Sequence, residues 1–533
     1  MDKTPRQHGE FYFEPNPAQW QTALLQNREK FSNMELWGQT PTQVRELLKM
    51  PTDRPIVLSG HQPIFFYPGV WAKCLAASQL AQSVAGVAYH EITDTALAPE
   101  FVHSILEADE NGRARRREID FFISKDMKNK EKAVPYVFLP EPDKAALEKI
   151  LSDAVTFGPA SVQKSVKYFS EKLTEGLNED AKLKEAATWN RFHAYTLNLL
   201  DHISGTRREI LEGSVLWTSE PFLNFLIYWL THLAELTENY NKSLNEYRKK
   251  NGITHEIEPM PNLKFEDWFF ELPFWGSTKA QHRDTLWAKT EAGYITLKIK
   301  GGAGQYKFHL NDLKNELVLS PLKIWPKAIP QTLFLRMYLC DFFIHGIGGG
   351  FYEEVGDLFF QKTFQVTPPV YGVISATYLV DFNGSKKLDL IVDREKALES
   401  WKRILEQNPE YLFTKQEVWK KDLPPFVQSP TEDCLNDESL KKLAKEKIDL
   451  LAVLKDPVRR PEAAKKIKEL NSLLFEGYGN VLKAIEEGRL DVDAVKITRE
   501  ALSYREYPFF CFEESVFLDM KEKISRALAE GWK

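Results

Sequence analysis

Cysteine is scarce: Cys74, Cys340, Cys434 and Cys511 are the only four in 533 residues. None stands in a Cys-x-x-Cys spacing, which argues against a zinc ribbon, a redox pair or a disulfide framework and fits a reducing cytoplasm. An excess of charge of one sign is also missing. Lys and Arg number 70 against 76 Asp and Glu, a net charge of −6, so no global basic field points to nucleic acid or to a membrane surface. No apolar run reaches bilayer length, since the strongest, Phe222 to Leu236, is short and contains Asn224, His232 and Glu235. The polar segment Met1 to His8 lacks the apolar core of a signal peptide. Aromatic residues are not scarce, but they are not interleaved with basic clusters, which favours core packing and pocket walls over base stacking. The partners expected of such a chain are small molecules, with neither nucleic acid nor membrane among them. Its location is expected to be the cytoplasm.

Standard phosphate fingerprints are absent too. There is no G-x-x-x-x-G-K-[ST] loop, and Phe351 stands where a G-x-G-x-x-G would need its last glycine. What is present is a pair of glycine-containing turns far apart in sequence, Ser59-Gly60-His61-Gln62-Pro63 and Ile344-His345-Gly346-Ile347-Gly348-Gly349-Gly350. Each follows an apolar run that reads as a buried strand, Ile56 to Leu58 or Phe342 to Ile344, and precedes a helical pattern, Val70 to Ala81 or Tyr352 to Phe360. A glycine-rich strand-to-helix turn exposes backbone N–H groups at a positive helix end, which favours bound phosphate or carboxylate. The same glycines could instead serve close packing or a positive φ. The next strand, Gly86 to Ile92, ends in the acidic pair Glu91 and Asp94. In strand–helix–strand crossovers ligands gather at the carboxyl ends of strands, so Asp94 is expected on the same rim as His61.

A length of 533 residues with 43% hydrophobic content allows a large core and two or more units. The expected division is 1–142 as the first part of an α/β core, 143–276 as a mainly helical insertion, and 277–400 as the second part of the core. Residues 401–500 follow as a helical hairpin and 501–533 as a C-terminal segment. Gln43 to Met50 reads as a short helix and Leu223 to Asn251 as one long helix. Proline-rich loops follow at Glu258-Pro259-Met260-Pro261 and Glu271-Leu272-Pro273-Phe274-Trp275. Gly301 to Gly304 reads as the turn of a hairpin between Thr296 to Ile299 and Tyr306 to Phe308, and Val370 to Val380 as a strand. Asp437 to Leu454 and Glu462 to Glu487 are amphipathic patterns that predict two antiparallel, coiled-coil-like helices. If they protrude, a homodimer through them is implied.

These blocks, in their order, resemble the cysteine-adding enzyme family of bacillithiol biosynthesis. The first turn, followed by Pro68-Gly69 and Lys73, is similar to that family's T-G-Q-Q/H-P-G-L turn and lysine-bearing helix. Glu91-Ile92-Thr93-Asp94 matches its acidic strand end loosely. Pro326-Lys327, His345 to Tyr352 and Gly372 to Thr377 resemble its R-P-x-x-Q, G-G-P-x-E-x-x-Y and R-I-S-x-T blocks. The likeness covers roughly residues 50 to 480. It is closer to a divergent branch with Tyr240-Asn241 to Arg248, Glu271 to Trp275 and Arg505 to Glu514. Departures lie at His345 to Phe351, where the family has Gly-Gly-Pro, and at Thr93-Asp94, where its acidic set is denser. The first turn also looks like the WbqC-like group of sugar-modifying pathways, and both groups are similar to the class I nucleotidyltransferase fold. The resemblance therefore implies a Rossmann-type, nucleotidyltransferase-like parallel sheet and a ligase that joins a cysteine-like amine to a small, sugar-linked acid.

Bond formation of that kind must hold an activated acyl group and an amine together and stabilise developing negative charge. His61, Asp94 and Glu353 are the expected catalytic residues, with Asp94 binding the amine and Glu353 acting as base. Ser59, Gly60, Gln62, Gly69, Lys73, Lys327, His345, Gly346, Gly348, Gly349 and Tyr352 are expected around the substrate's anionic parts. A metal site from His61, His90 and Asp94 lacks a compact ligand spacing and is not expected, and Cys74 and Cys340 lie in apolar contexts unsuited to thiolate chemistry. The residues leave open whether ATP is consumed. They leave open two alternatives as well: nucleotidyl or acyl transfer in a sugar-modifying pathway, and a non-catalytic ligand-binding or scaffold protein.

Overall fold

A computed structural model describes residues 3–98, 102–108, 114–120, 134–140, 145, 147–149, 151–152, 160–182, 188–255, 260–279, 282–301, 304–380, 382–417, 419, 423, 425–488 and 492–532. The expected features at Asp143, at Glu258-Pro259 and at Gly302-Ala303 lie outside these residues. The chain forms two compact units. One comprises Met1–Glu107, Arg117–Val380 and Tyr504–Lys533, the other Ala108–Arg116 and Asp381–Ser503. The expected boundaries at 142 and 276 therefore fall inside the first unit. The longer run of the second unit is Asp381–Ser503, and the segment from Tyr504 belongs to the first unit.

The first unit is built on a six-stranded sheet. Five strands, Ile56–His61, Val87–Ile92, Glu209–Glu212, Phe342–His345 and Gly372–Thr377, are parallel to their neighbours, and Glu10–Glu14 closes one edge antiparallel to Gly372–Thr377. Numbered along the chain, the five parallel strands lie in the spatial order 3-2-1-4-5, so the order reverses between Ile56–His61 and Phe342–His345. Both central strands are continuous apolar runs because helices cover both sheet faces. Ile56, Val57, Leu58, Phe342 and Ile344 are all buried, and each is stabilised by about 1.5–3 kcal/mol of apolar burial. Helix Pro68–Ser83 packs against four of these strands. Its buried residues run all around the helix, from Pro68 to Ala81, because Glu514–Glu530 packs against it as well.

Several local expectations change in the folded chain. Ser59, Gly60 and His61 are strand, not turn: they pair with His90, Glu91 and Ile92, and the following helix starts only at Pro68, whose ring suits the first helical position. The second turn shrinks to Gly346: Ile344 and His345 belong to strand Phe342–His345, and the helix capped by Gly346 starts at Ile347 and runs through the glycines to Phe364, not from Tyr352. The long helix at Leu223 to Asn251 is two, Glu220–Thr231 and Leu233–Asn251, interrupted at His232 (φ −122°, ψ 35°). Glu271 to Trp275 is no loop but part of strand Phe269–Lys279, which keeps Pro273 by shifting register between Glu271 and Trp275. That strand belongs to a second, antiparallel sheet in the order Gln305–His309, Tyr294–Ile299, His282–Glu291, Phe269–Lys279, Lys323–Pro326. Glu209–Glu212 was not anticipated, because its charged ends hide an edge strand among helical patterns.

The second unit contains helices Phe382–Gln407, Pro425–Asn436, Glu438–Val453, Arg460–Gly477 and Gly479–Gly488. Trp401, Trp419, Leu474 and Tyr478 are among its core side chains, and a buried Lys447–Glu410 ion pair crosses it. Glu438–Val453 and Arg460–Gly477 lie side by side, and the expected second helix to Glu487 is broken at Tyr478. Among the described residues no helix is long and apolar enough to cross a membrane.

One buried carboxylate fixes the central strands. Asp341 accepts hydrogen bonds from the Ile56 N–H (2.8 Å) and from Arg45 Nη2 (2.9 Å), with Arg28 Nη1 at 3.2 Å. Removing one member of such a set leaves uncompensated buried charge, which costs about 3–5 kcal/mol. Asp341→Ala should therefore lower the unfolding free energy of the first unit by about 3 kcal/mol in chemical denaturation, and a loss below about 1 kcal/mol contradicts this assignment.

Candidate functional site

The carboxyl ends of Ile56–His61 and Phe342–His345 lie side by side, because Phe342, Phe343 and Ile344 pair in parallel with Val57, Leu58 and Ser59. Beyond them opens a cavity of about 580 Å³. Gly60, His61, Gln62, Gly69, Lys73, His345, Gly346, Gly348, Gly349 and Tyr352 all line it. Lys73 links the two chain segments: its ammonium donates to the Gly60 carbonyl (2.8 Å), and its Cδ lies 3.7 Å from where a Cβ on Gly346 would stand. Open sheets of this order place ligands at the strand ends where the order reverses.

The wall of this cavity carries both charge signs. Lys73 is buried, and burial pulls its ammonium down to about 8 against the pull of Glu91. Glu91 is fully buried, and burial pushes its carboxyl up to about 8, with the Asp94 charge adding to the effect. The same carboxyl accepts from Thr93 Oγ1 (2.7 Å) and from Gln331 Nε2 (3.3 Å to each oxygen). A Cβ at Gly60 would sit 2.9 Å from Glu91 Oε2, so any side chain there would displace that carboxylate. The His61 imidazole is held below its usual range by burial and by Lys73. In the neutral tautomer that donates Nδ1–H to the Gln62 carbonyl (3.0 Å), Nε2 keeps its lone pair.

On the opposite side, the helix that starts at Gly346 presents its first N–H groups, which have no partner within the helix. A Cβ on Gly348 would meet nothing within 4 Å, so a ligand can approach that backbone closely. Arg505 completes the rim: Nη2 donates to Ser375 Oγ (2.6 Å) and to the Ala376 carbonyl (3.3 Å). The C-terminal segment is anchored beside it where the Phe509 N–H donates to the Phe66 carbonyl (2.7 Å). Gly69 gives the room, because a Cβ there would lie 2.6 Å from Arg505 Nη2.

Four expected site residues do not line this cavity. Asp94 is fully buried and accepts from the Ser214 N–H (2.7 Å), the Ser214 hydroxyl and Asn190 Nδ2 (2.6 Å). It sits past the strand end, where Thr93 binds back to the His61 carbonyl and directs the next residue inward. Glu353 is fully buried behind the site, ion-paired with Arg336 and 3.2 Å from His345 Nε2. The Arg336 guanidinium, with His345 beside it, holds its carboxyl down to about 2 against the pull of burial, a poor state for a general base near neutral pH. Ser59 is buried with Oγ 3.0 Å from His90 Nδ1. Lys327 faces a neighbouring cavity, 3.3 Å from Glu271.

Sequence reading missed Glu91, Gln331 and Arg505 as site residues. Glu91 was visible beside Asp94, but strand alternation hides which of the two faces the rim. Gln331 follows Lys327 at helical spacing on Ala328–Phe334, and Arg505 reaches the site only through tertiary packing. All four cysteines are buried. Among the described residues no group of three or more His, Cys, Asp or Glu side chains is arranged to hold a metal.

The chain matches no protein-family model and no curated protein. The resemblance drawn from the motifs therefore rests on those motifs.

Two outcomes check this geometry. Asp94→Ala removes the acceptor of three donors, one buried and two half-buried, and should cost about 2 kcal/mol of stability; a melting temperature equal to that of the wild type contradicts its structural role. For Glu91, folding raises the pKa from 4.5 to about 8. Between those pH values the folded chain holds a proton the unfolded chain has released, so stability falls as pH rises through that window. Glu91→Gln should flatten this fall relative to wild type in melting curves from pH 5 to 8. An unchanged slope refutes the assignment.

Proposed function

We propose that this chain is a carbon–nitrogen bond-forming enzyme with a Rossmann-type, nucleotidyltransferase-like core, joining an amino acid or other amine to a small, sugar-linked acid. The observation that carries the reading is the meeting of two strand ends and one glycine-started helix on a single cavity, with Lys73 bonded to the Gly60 carbonyl and lying beside Gly346. Donors on one side and a neutral imidazole with a free lone pair on the other are what amine attack on an acyl carbon requires. In this scheme the acyl group arrives activated. The amine nitrogen, oriented by a hydrogen bond to His61 Nε2, forms the new bond to the acyl carbon and passes a proton to the Glu91 carboxylate, which burial raises to about 8, and the leaving group departs with the electrons of its bond to carbon. Lys73, Arg505 and the first N–H groups of Ile347–Phe364 are the groups placed to receive its negative charge.

A ligand-binding protein without turnover is the second reading. It is favoured by the engagement of Asp94 and Glu353 in buried bonds, which takes both expected catalytic carboxylates away from the cavity. The cytoplasmic setting, and pairing of two copies through helices Glu438–Val453 and Arg460–Gly477, belong to the same proposal.

The two readings separate in a turnover assay with activated acyl donors and a panel of amines, with ATP present and absent. Turnover by wild type, reduced at least about 100-fold in His61→Ala, is the expected result. His61 is half-buried and makes one side-chain bond, to the neighbouring Gln62 carbonyl, so the variant should melt within about 2 °C of wild type. Equal turnover by a folded His61→Ala protein overturns its role, and absence of turnover across the panel favours the binding protein.

A further inference from the structure

A second cavity, about 340 Å³, adjoins the first and shares Gln62, Thr93, Ala328 and Gln331 with it. Its character is different. Tyr240, Met260, Leu263 and Trp275 give it an apolar wall, whereas Lys73, His345 and Arg505 surround the larger space. The second sheet builds this wall. The register shift at Pro273 sets Glu271 and Trp275, the Lys323–Pro326 strand delivers Lys327, and the Pro273 carbonyl accepts the Lys327 N–H (3.0 Å).

Two cations are held against Trp275, with the Arg283 guanidinium carbon and Lys327 Nζ each 4.6 Å from its ring centroid. Stacking of this kind fixes their positions without using their N–H groups. Arg283 donates one bond to the Thr95 carbonyl (2.5 Å), and its buried Nε has no partner among the described residues. Lys327 meets Glu271 at 3.3 Å, a long contact that leaves further donor capacity on its ammonium. The unmet hydrogen-bonding capacity of the two cations is therefore all of the donor kind. A buried donor without a partner is costly, and an ionised acceptor satisfies it best.

We propose that this side cavity is a ligand subsite for an apolar carboxylic acid. The carboxylate lies on Lys327 and Arg283, and an aromatic or branched apolar body lies against Tyr240, Met260 and Leu263. The inference deepens the functional reading above and rests on it in one respect: the shared wall of Gln62, Thr93 and Gln331 makes the side cavity the place for the part of a substrate that extends away from the reacting atoms. Its volume lies at the small end of ordinary ligand pockets, which suits a single ring or a short branched chain rather than a nucleotide.

The test uses the full chain and three probes in calorimetric titration: 3-phenylpropionate, its uncharged amide and acetate. The structure requires that 3-phenylpropionate binds, and that the amide and acetate each bind at least about tenfold more weakly, since one lacks the charge and the other the apolar body. Lys327→Met and Arg283→Gln should each weaken 3-phenylpropionate by at least about tenfold. Met260→Trp, which fills the cavity and leaves both cations in place, should also abolish its binding, so the result does not depend on a charge-removing variant that fails to fold. Equal binding of acid and amide, or wild-type affinity in a folded Lys327→Met or Met260→Trp protein, overturns the subsite. Loss of probe selectivity with turnover intact removes this inference alone. Selective probe binding without turnover removes the enzyme reading and leaves the subsite standing.

Discussion

The arrangement of the first unit depends on the buried carboxylate of Asp341. It stands one residue before strand Phe342–His345, and its side chain captures the N–H of Ile56, the first residue of the neighbouring strand. The Asp341 N–H donates in turn to the Ile56 carbonyl (2.8 Å), and Asn27 Nδ2 donates to the Asp341 carbonyl (2.9 Å). Arg45 and Arg28 neutralise the charge. A one-residue slip would break every one of these bonds and turn each side chain to the other face of the sheet. With the strand starts locked, the strand ends are locked too, and His61 and His345 reach the same rim although they stand far apart in sequence.

Two sets of buried charges divide the labour around that rim. Behind it, Arg336 joins Glu353 and Asp357 (2.9 Å), donates to the Pro369 carbonyl (2.7 Å) and stacks on Tyr371. This network ties helix Ile347–Phe364 to Arg336 and to the Pro369 carbonyl behind the rim. At the cavity, Lys73 and Glu91 are buried without a direct ion pair between them, and burial shifts each towards its neutral form. A fold gains nothing in stability from such an arrangement. Strained titration of this kind collects where a site must handle protons or charged ligands.

The second sheet has a different part. Its strands carry no group into the main cavity, yet Lys323–Pro326 leads directly into Ala328–Phe334, which brings Gln331 to Glu91. Pro273 is tolerated in a central strand because the register shift removes the need for its missing N–H. That same irregularity turns Glu271 and Trp275 towards Lys327 and gives the side cavity its shape.

How much of this was legible in the sequence follows from the range of the forces involved. Periodicity and turn chemistry are local, so the apolar strands at Ile56 and Phe342, the helix after each, the hairpin of Tyr294–Ile299 with Gln305–His309 and the mixed α/β class could be read from the chain alone. His61, Gln62, Gly69, Lys73 and the glycines from Gly346 to Gly349 were candidates for the same reason, each lying at the end of a recognisable element. The roles of Asp94 and Glu353 were not legible, because a carboxylate looks the same in sequence whether Ser214 and Asn190, or Arg336 and His345, enclose it. Nor was Arg505, brought to the rim by packing of the C-terminal segment against Phe66. Local hydrophobic pattern and backbone chemistry set which elements form and where the turns fall. Only the tertiary structure decided which charges face the cavity and which are consumed behind it, since the partners that desolvate or neutralise a charge come from distant parts of the chain.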